Sequence, residues 1–260
     1  MGWPREKKIF CGKEYFEMDL FEIKKTERGK KMRSRKEKPT TAAQKKANRK
    51  RSIRELTWLV YTNFSVRDFY LTLTCEPEHM PHSKKEATNV LRNYIRRVNR
   101  KLKKMGKPHA KYICTIESGR NHDNYHFHFV ISCGLSRDEL EDIWGIGLAN
   151  ARRLKMPQVF ALAQYLTKEV REPNEKSWHC SRNLKKPTIR KNDFRYSHRQ
   201  MENMAHNVDD RNMWEKLYPG YEYIEAHATF SDEQGWYITL RMKRREHVPG
   251  ENKTRPSKRD

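Results

Sequence analysis

The sequence predicts an α+β fold in which helices pack on a central antiparallel sheet of about five strands. Between residues 67 and 172, segments with strand and helix periodicity follow the order strand, helix, strand, strand, helix, strand, helix. Two neighbouring strand segments are joined by a short turn rich in Gly and Asn, which favours an antiparallel hairpin. Each helix carries an apolar stripe, and we expect these stripes to pack on one face of the sheet.

The composition points to a polyanionic partner. The chain has 260 residues, with 56 Lys and Arg against 33 Asp and Glu and a net charge of +23. This excess is far beyond what solubility requires, and nucleic acid is the leading candidate partner. We find no apolar run of the roughly 18 residues that a membrane-spanning helix needs. The five cysteines are scattered singly and the N-terminus has no signal-peptide core, so we expect a reduced, cytoplasmic protein.

Two flanking regions accompany the regular segment. Residues 1–66 are predicted to form a basic N-terminal arm with a short strand pair, because residues 24–54 hold 15 Lys or Arg against two Glu. A solvated linker without a function is the alternative interpretation of this arm. Residues 173–260 are predicted to form a C-terminal extension, with a basic segment at 182–199 and a β-hairpin built from YEYIEAHATF and WYITLRMKRR.

The first strand and first helix of the regular segment have clear patterns. DFYLTLT (68–74) is rich in β-branched and aromatic residues and predicts a strand. Residues 84–105 predict a helix, with apolar residues such as Leu91, Tyr94 and Val98 at helical spacing and cations on the other faces. We expect these cations and two lysines of the basic segment to bind DNA: Arg92, Arg96, Arg97, Arg100, Lys101, Lys104, Lys185 and Lys186.

KYICTIES (111–118) and YHFHFVIS (125–132) predict the two strands of the hairpin. Side chains alternate on a strand, so His126 and His128 share one face and the aromatic residues share the other. Two imidazoles one pleat apart can bind one divalent cation, and Glu117 at the end of the preceding strand could supply an oxygen ligand. A histidine pair of this kind is weak evidence by itself, and a solvated turn carboxylate is the alternative for Glu117.

The remaining elements bring a tyrosine towards this hairpin. LSRDELEDIW (135–144) predicts a helix that begins with a capping box at Ser136, and GIGLANARRL (145–154) predicts a fourth strand. PQVFALAQYLTKEV (157–170) predicts the last helix, with Tyr165 at the edge of its apolar stripe and Lys168 further round. A tyrosine is a poor nucleophile unless a cation stabilises its phenolate. An ordinary amphipathic tyrosine at a helix edge is the alternative interpretation.

Taken together, these motifs resemble those of the HUH endonucleases, and in particular the one-tyrosine rolling-circle replication initiators of plasmids and phages. The resemblance covers residues 67–172 and consists of five short features in family order: the LTLT strand, Glu117, the HFH strand, the W-x-x-G of Trp144 and Gly147, and the Y-x-x-K of Tyr165 and Lys168. It implies an HUH nuclease domain whose sheet has the arrangement called an RRM-like palm.

The resemblance also implies roles for single residues. His126 and His128 match the family's metal-binding histidines, and Glu117 matches its third polar ligand; the implied cofactor is a divalent ion, Mg²⁺ or Mn²⁺. Tyr165 matches the nucleophile and Lys168 the lysine that assists it. The implied activity is nicking and rejoining of single-stranded or extruded origin DNA through a 5′-phosphotyrosine, which starts rolling-circle replication.

The departures from other branches of the superfamily are informative. The position one helical turn before Tyr165 is Ala161, so a two-tyrosine cycle is not encoded in this helix. The sequence has no G-x-x-x-x-G-K-[ST] motif and so no sign of a helicase of its own, and we expect a host helicase and polymerase as partners. Because no apolar run is long enough to span a membrane, we expect no membrane partner. The alternatives are a related single-strand DNA transposase, a basic nucleic-acid-binding protein without catalysis, and a metal-dependent nuclease that activates water.

Overall fold

The computed structural model of the chain describes residues 2–23, 41–118, 124–156, 159–167 and 178–245. In these residues the elements are, in chain order, β1 (Trp3–Cys11), β2 (Tyr15–Ile23), α1 (Ala42–Asn63), β3 (Phe69–Cys75), α2 (Lys84–Lys104), β4 (Lys111–Ser118), β5 (Tyr125–Ser132), α3 (Arg137–Trp144), β6 (Gly147–Arg153), α4 (Val159–Leu166), β7 (His179–Cys180), β8 (Thr188–Asn192), α5 (His198–His206), α6 (Arg211–Leu217), β9 (Tyr221–Ser231) and β10 (Gly235–Arg244).

The chain divides into two compact units. The terminal unit comprises Met1–Gly29 and Thr188–Asp260, and the central unit comprises Lys30–Pro187. The sequence predicted three consecutive segments instead, with boundaries after residues 66 and 172. The difference arises because β1 and β2 near the N-terminus pair with β8 and β10 near the C-terminus. The assignment of a nuclease function to residues 67–172 stays a prediction.

The described part of the central unit contains a five-stranded sheet with the order β6-β3-β5-β4-β7. The pairings are antiparallel, and β4 and β5 form the predicted hairpin with Lys111 opposite Ser132 and Ser118 opposite Tyr125. The α+β class with an antiparallel sheet of about five strands and helices packed on it is confirmed.

One face of this sheet is covered by α2 and α3. Phe127 and Phe129 of β5 are fully buried there against apolar residues of the two helices. The Tyr94 hydroxyl of α2 donates to the Leu140 carbonyl of α3 over 3.0 Å, which joins the two helices. Both helices begin as their sequences predict: the Ser136 side chain accepts from the backbone of residue 139 in a capping box, and α2 begins after the N-cap Ser83.

The opposite face is covered by α1 and α4, so the expectation that the helices pack on a single face was wrong. Ile53, Leu56 and Val60 of α1 form a cluster with residues of α4 and with Val130 of the sheet. The sequence did not predict α1, because its apolar stripe begins only at Ile53 and follows many cations. Residues 42–54 of the predicted basic arm are therefore helical, and residues 24–40 lie outside the described part of the chain.

The described part of the terminal unit contains a second five-stranded sheet, in the order β8-β1-β2-β10-β9. Helices α5 and α6 pack on one of its faces around Phe16, Met18 and Trp214. The predicted strand pair near the N-terminus corresponds to β1 and β2, and the predicted C-terminal hairpin corresponds to β9 and β10. In neither unit do the described residues include a helix that is long and apolar enough to cross a membrane.

Candidate active site

The register of three neighbouring strands places the predicted site residues on one face of the central sheet. His126 on β5 lies opposite Glu117 on β4 and opposite Thr74 on β3. His128, one pleat further along β5, lies opposite Thr72 on β3. Directly paired residues of antiparallel strands have their side chains on the same face. This face carries the polar residues because α2 and α3 bury the aromatic residues of the other.

Three of the predicted residues meet in direct contact. Glu117 Oε2 lies 3.1 Å from His128 Nε2, and the Tyr165 hydroxyl donates to the same carboxylate oxygen over 3.1 Å. The Tyr165 hydroxyl also lies 3.4 Å from His128 Nε2. The two rings meet edge to face, with centroids 5.2 Å apart. The fold therefore brings together a phenol, an imidazole and a carboxylate. Tyr165 is 48 residues from Glu117 and 37 from His128 in the sequence, and Glu117 is 11 residues from His128.

Helix α4 holds Tyr165 at the border between the core and solvent. Ala163 and Leu166 are buried in the cluster shared with α1, whereas Tyr165 is 40% exposed. The position at the edge of the apolar stripe, inferred from the helical period, is the one observed. Lys168, the predicted assisting lysine, lies outside the described residues.

Hydroxyl groups on β3 contact the Nδ1 atoms of both histidines. The Tyr70 hydroxyl lies 2.9 Å from His128 Nδ1, and the Thr74 hydroxyl lies 3.0 Å from His126 Nδ1. The Tyr70 and His128 rings are parallel within 6°, with centroids 6.0 Å apart. Burial raises the pKa of Tyr70 to about 12, so this phenol stays protonated at neutral pH. A hydroxyl at Nδ1 fixes the orientation of an imidazole and directs Nε2 away from it.

The LTLT strand is one of the motifs in the sequence, but its polar side chains had no predicted role. The signal was available, because residues 70, 72 and 74 alternate with buried Leu71 and Leu73 and must share the face of the histidines. Tyr70 was missed because an aromatic residue in a strand is usually assigned to the core.

Trp144 and Gly147 fix the end of β3 beside His126. The indole Nε1 of the buried Trp144 donates to the Thr74 carbonyl over 3.0 Å. Gly147 has φ +147°, and a Cβ at this position would overlap the same carbonyl and the backbone N of Glu76. Only glycine allows β6 to approach β3 this closely. The W-x-x-G motif therefore acts on the backbone that supports Thr74.

The three predicted metal ligands have suitable chemistry for a divalent ion. Two imidazoles with Nδ1 held by hydroxyls and one carboxylate opposite His126 in register form a donor set of the kind that binds such ions. In the ranges that the structure describes, no group of three or more His, Cys, Asp or Glu side chains is close enough to hold a metal ion. His128 and Glu117 bond directly to each other instead.

The predicted DNA-binding cations of α2 lie on the other side of the sheet from this site. Arg97 donates to the Trp144 carbonyl over 2.9 Å, and Lys101 pairs with Glu139 at 2.9 Å, so both support the fold. The other four are exposed: Arg92, Arg96, Arg100 and Lys104. These cations could meet only a segment of DNA distant from Tyr165.

The two lysines of the basic segment lie elsewhere. Lys185 and Lys186 are exposed, and the backbone of Lys185 exchanges two hydrogen bonds with the Asn63 side chain at the end of α1. The neighbouring Leu184 packs against the apolar cluster that covers the histidine face. This segment is therefore attached to the same layer of the central unit as Tyr165.

Comparison with known protein families gave one match. Residues 68–173 match the family model described as replication-associated protein ORF2/G2P. The matched range begins at β3 and continues past α4, so it contains Glu117, both histidines and Tyr165. The match supports a replication initiator of the Rep type, a class that acts on DNA. Comparison with curated proteins and with solved structures found no match.

Proposed function

We propose that this protein starts rolling-circle replication by nicking and rejoining single-stranded DNA at a replication origin, with Tyr165 as the nucleophile. The observation that carries the proposal is the contact of the Tyr165 hydroxyl with Glu117 and His128, in a residue that is 40% exposed. The family match to residues 68–173 supports the replication part of the proposal. The resemblance to one-tyrosine HUH endonucleases supports the chemistry.

A divalent ion, Mg²⁺ or Mn²⁺, would complete the proposed site. His126, His128 and Glu117 would hold it, since their donor atoms suit such ions and their supporting hydroxyls favour Nε2 as the ligand atom. When bound, the ion would polarise the phosphodiester that is cleaved.

The chain's own groups would carry out the transfer. In the proposed step, the Tyr165 oxygen attacks the phosphorus, an O–P bond forms, and the bond from phosphorus to the 3′ oxygen breaks. Glu117 already accepts a hydrogen bond from the Tyr165 hydroxyl and is positioned to take its proton. The 3′ oxygen leaves with the electron pair of the broken bond and gains a proton from water. Lys168 would stabilise the phenolate.

The products of this step explain how replication would start and end. A 5′-phosphotyrosine at Tyr165 keeps the energy of the phosphodiester, so the strand can be rejoined by the reverse reaction without ATP. The freed 3′-hydroxyl can prime synthesis by a host polymerase after a host helicase unwinds the duplex. We propose a cytoplasmic location for this reaction.

Cleavage of a labelled pool of single-stranded oligonucleotides in Mn²⁺ or Mg²⁺ tests the proposal. The unaltered protein should give a denaturant-resistant adduct, and both Tyr165→Phe and His126→Ala should abolish it. Tyr112→Phe is the matched control, because it removes a phenol hydroxyl from the same sheet on the opposite face.

Other outcomes would favour the alternatives. Cleavage that persists in Tyr165→Phe would indicate a nuclease that activates water. Salt-dependent DNA binding without cleavage, also on a supercoiled cognate origin, would indicate a binding protein. Joining of two element ends in preference to rejoining of one origin strand would indicate a transposase.

A further inference from the structure

An arginine-lined cavity lies at the opposite end of the β3–β6 pair from Gly147. It has a volume of about 490 Å³, and its walls include the apolar side chains of Phe69 and Leu135. Four arginines also line it: Arg67, Arg137, Arg152 and Arg153. The cavity is separate from the contacts among Tyr165, Glu117 and His128.

The arginines of this cavity make few direct ion pairs, although the Glu141 carboxylate bonds to the backbone of the lining residue Ala151. In the described part of the chain, only Arg137 among the four has a carboxylate partner, the adjacent Asp138 at 3.1 Å, and both side chains are more than 60% exposed. Such a pair contributes little and exchanges readily for another anion.

The guanidinium groups of Arg152 and Arg153 bond to neutral groups. Arg152 donates to the Asn150 side chain over 2.8 Å. Arg153 donates to the Arg67 carbonyl and lies over the Phe69 ring at 4.2 Å. Arg153 lies opposite Phe69 in register and Arg152 opposite Tyr70, so their side chains are on different faces of the sheet. The Arg153 guanidinium, held beside Phe69, is oriented for an anion with several oxygens, and phosphate is the anion whose geometry it matches.

The cavity is connected to the candidate active site through one pair of residues. Arg152 on β6 lies opposite Tyr70 on β3, and Tyr70 bonds to His128. In the sheet that the structure describes, β6 is an edge strand, so this pair of residues lies at the edge of the sheet. The apolar walls beside the guanidinium groups provide a surface for a sugar or base next to a bound phosphate.

We propose that this cavity binds a backbone phosphate of the single-stranded DNA substrate, at a distance from the phosphate that is cleaved. The identity of the ligand as substrate DNA rests on the proposed function. The cavity would hold the strand in register so that the scissile phosphate lies at Tyr165. Phosphate is the chemistry recognised, and free phosphate is the other source of it.

The salt dependence of DNA binding tests the proposal. Binding of a fluorescent oligo(dT) is measured by anisotropy in the Tyr165→Phe background, so that no cleavage interferes. Arg67→Gln and Arg137→Gln are combined, because neither side chain makes a buried contact with the fold. The matched control combines Lys216→Gln and Arg244→Gln, which removes the same charge from exposed positions of the terminal unit.

The double variant in the cavity should bind more weakly, and its slope of log K against log salt should become shallower by about 0.7, the value for one lost phosphate contact on a single strand. The control should keep the original slope. Equal slopes for the cavity variant and the unaltered background would overturn the proposal. Binding of inorganic phosphate is measured by calorimetry. If the cavity variant lost this binding while its DNA slope stayed unchanged, the proposal would also be overturned, because free phosphate would then be the ligand.

This test is separate from that of the proposed function. If the adduct forms at Tyr165 and the slope does not change, the cavity proposal fails alone. If the slope changes and no adduct forms under any condition, the cavity still binds DNA and the proposed chemistry fails.

Discussion

Replacement of Tyr70 by Phe should weaken metal binding while leaving the protein folded. The change removes the hydroxyl that lies 2.9 Å from His128 Nδ1 and keeps the ring that stacks on the imidazole. The Thr72 hydroxyl, at 3.4 Å from the same nitrogen, is too distant to replace it fully. We therefore expect the imidazole to lose part of its orientation and basicity as a ligand.

The size of the effect follows from the loss of one supporting hydrogen bond. Loss of such support from a metal-binding histidine typically lowers metal affinity about 10- to 100-fold. The same change should cost about 1 kcal/mol of unfolding free energy, since one hydrogen bond at a mostly buried site is lost. A 10- to 100-fold loss of metal affinity could not be explained by a loss of about 1 kcal/mol in stability, because nearly all of the protein would still be folded.

Isothermal titration with Mn²⁺, together with the Mn²⁺ dependence of oligonucleotide cleavage, measures the effect. Tyr112→Phe removes a hydroxyl on the opposite face of the sheet and should leave both quantities unchanged. If Tyr70→Phe bound Mn²⁺ with unaltered affinity, or if Tyr112→Phe weakened binding equally, the assignment of Tyr70 as a positioning residue would be refuted.

Three further predictions concern the framework of the site. Gly147→Ala should lower the unfolding free energy by more than about 2 kcal/mol, because the added Cβ meets the β3 backbone at a positive φ. Gly106→Ala should cost only about 1 kcal/mol, since its φ is +66° and there is open space around it. Urea unfolding compares the two variants, and equal losses would contradict the close approach of β6 to β3. Ser136→Ala removes the N-cap of α3 and should cost about 1 kcal/mol in the same measurement. Because the pKa of Tyr70 is raised to about 12 in the folded state from about 10 when unfolded, its contribution to stability is present below pH 10 and is lost as the pH rises to 12. Tyr70→Phe should therefore lose less stability than the unaltered protein across that range, and an identical pH dependence would contradict the burial of this phenol.

Strict alternation made the hairpin of the central sheet predictable. The observed bounds of β4 and β5 equal the predicted ranges, 111–118 and 125–132, and Phe127 and Phe129 lie on the buried face as expected. The position of Glu117 on the face that carries the two histidines followed from this register. Local pattern was sufficient here because the aromatic residues of β5 share one face and its histidines share the other.

Other features depend on contacts that a local pattern does not encode. The first three turns of α1 are exposed and basic, so its helical state was hidden by its charge. The pairing of β2 with β10 joins segments about 220 residues apart, for instance Asp19 with Thr239, and no periodicity reveals such a partner. The side of the sheet that α2 covers also depends on tertiary packing, and this decides how far its cations lie from Tyr165.

Identification of the residue that carries the DNA tests the central claim most directly. The adduct formed with a cleaved oligonucleotide would be digested with nuclease and protease and its peptides analysed by mass spectrometry. We predict a nucleotide joined through its 5′ phosphate to the oxygen of Tyr165. A nucleotide on another residue, or complete cleavage with a free 5′ phosphate and no modified peptide, would contradict the account.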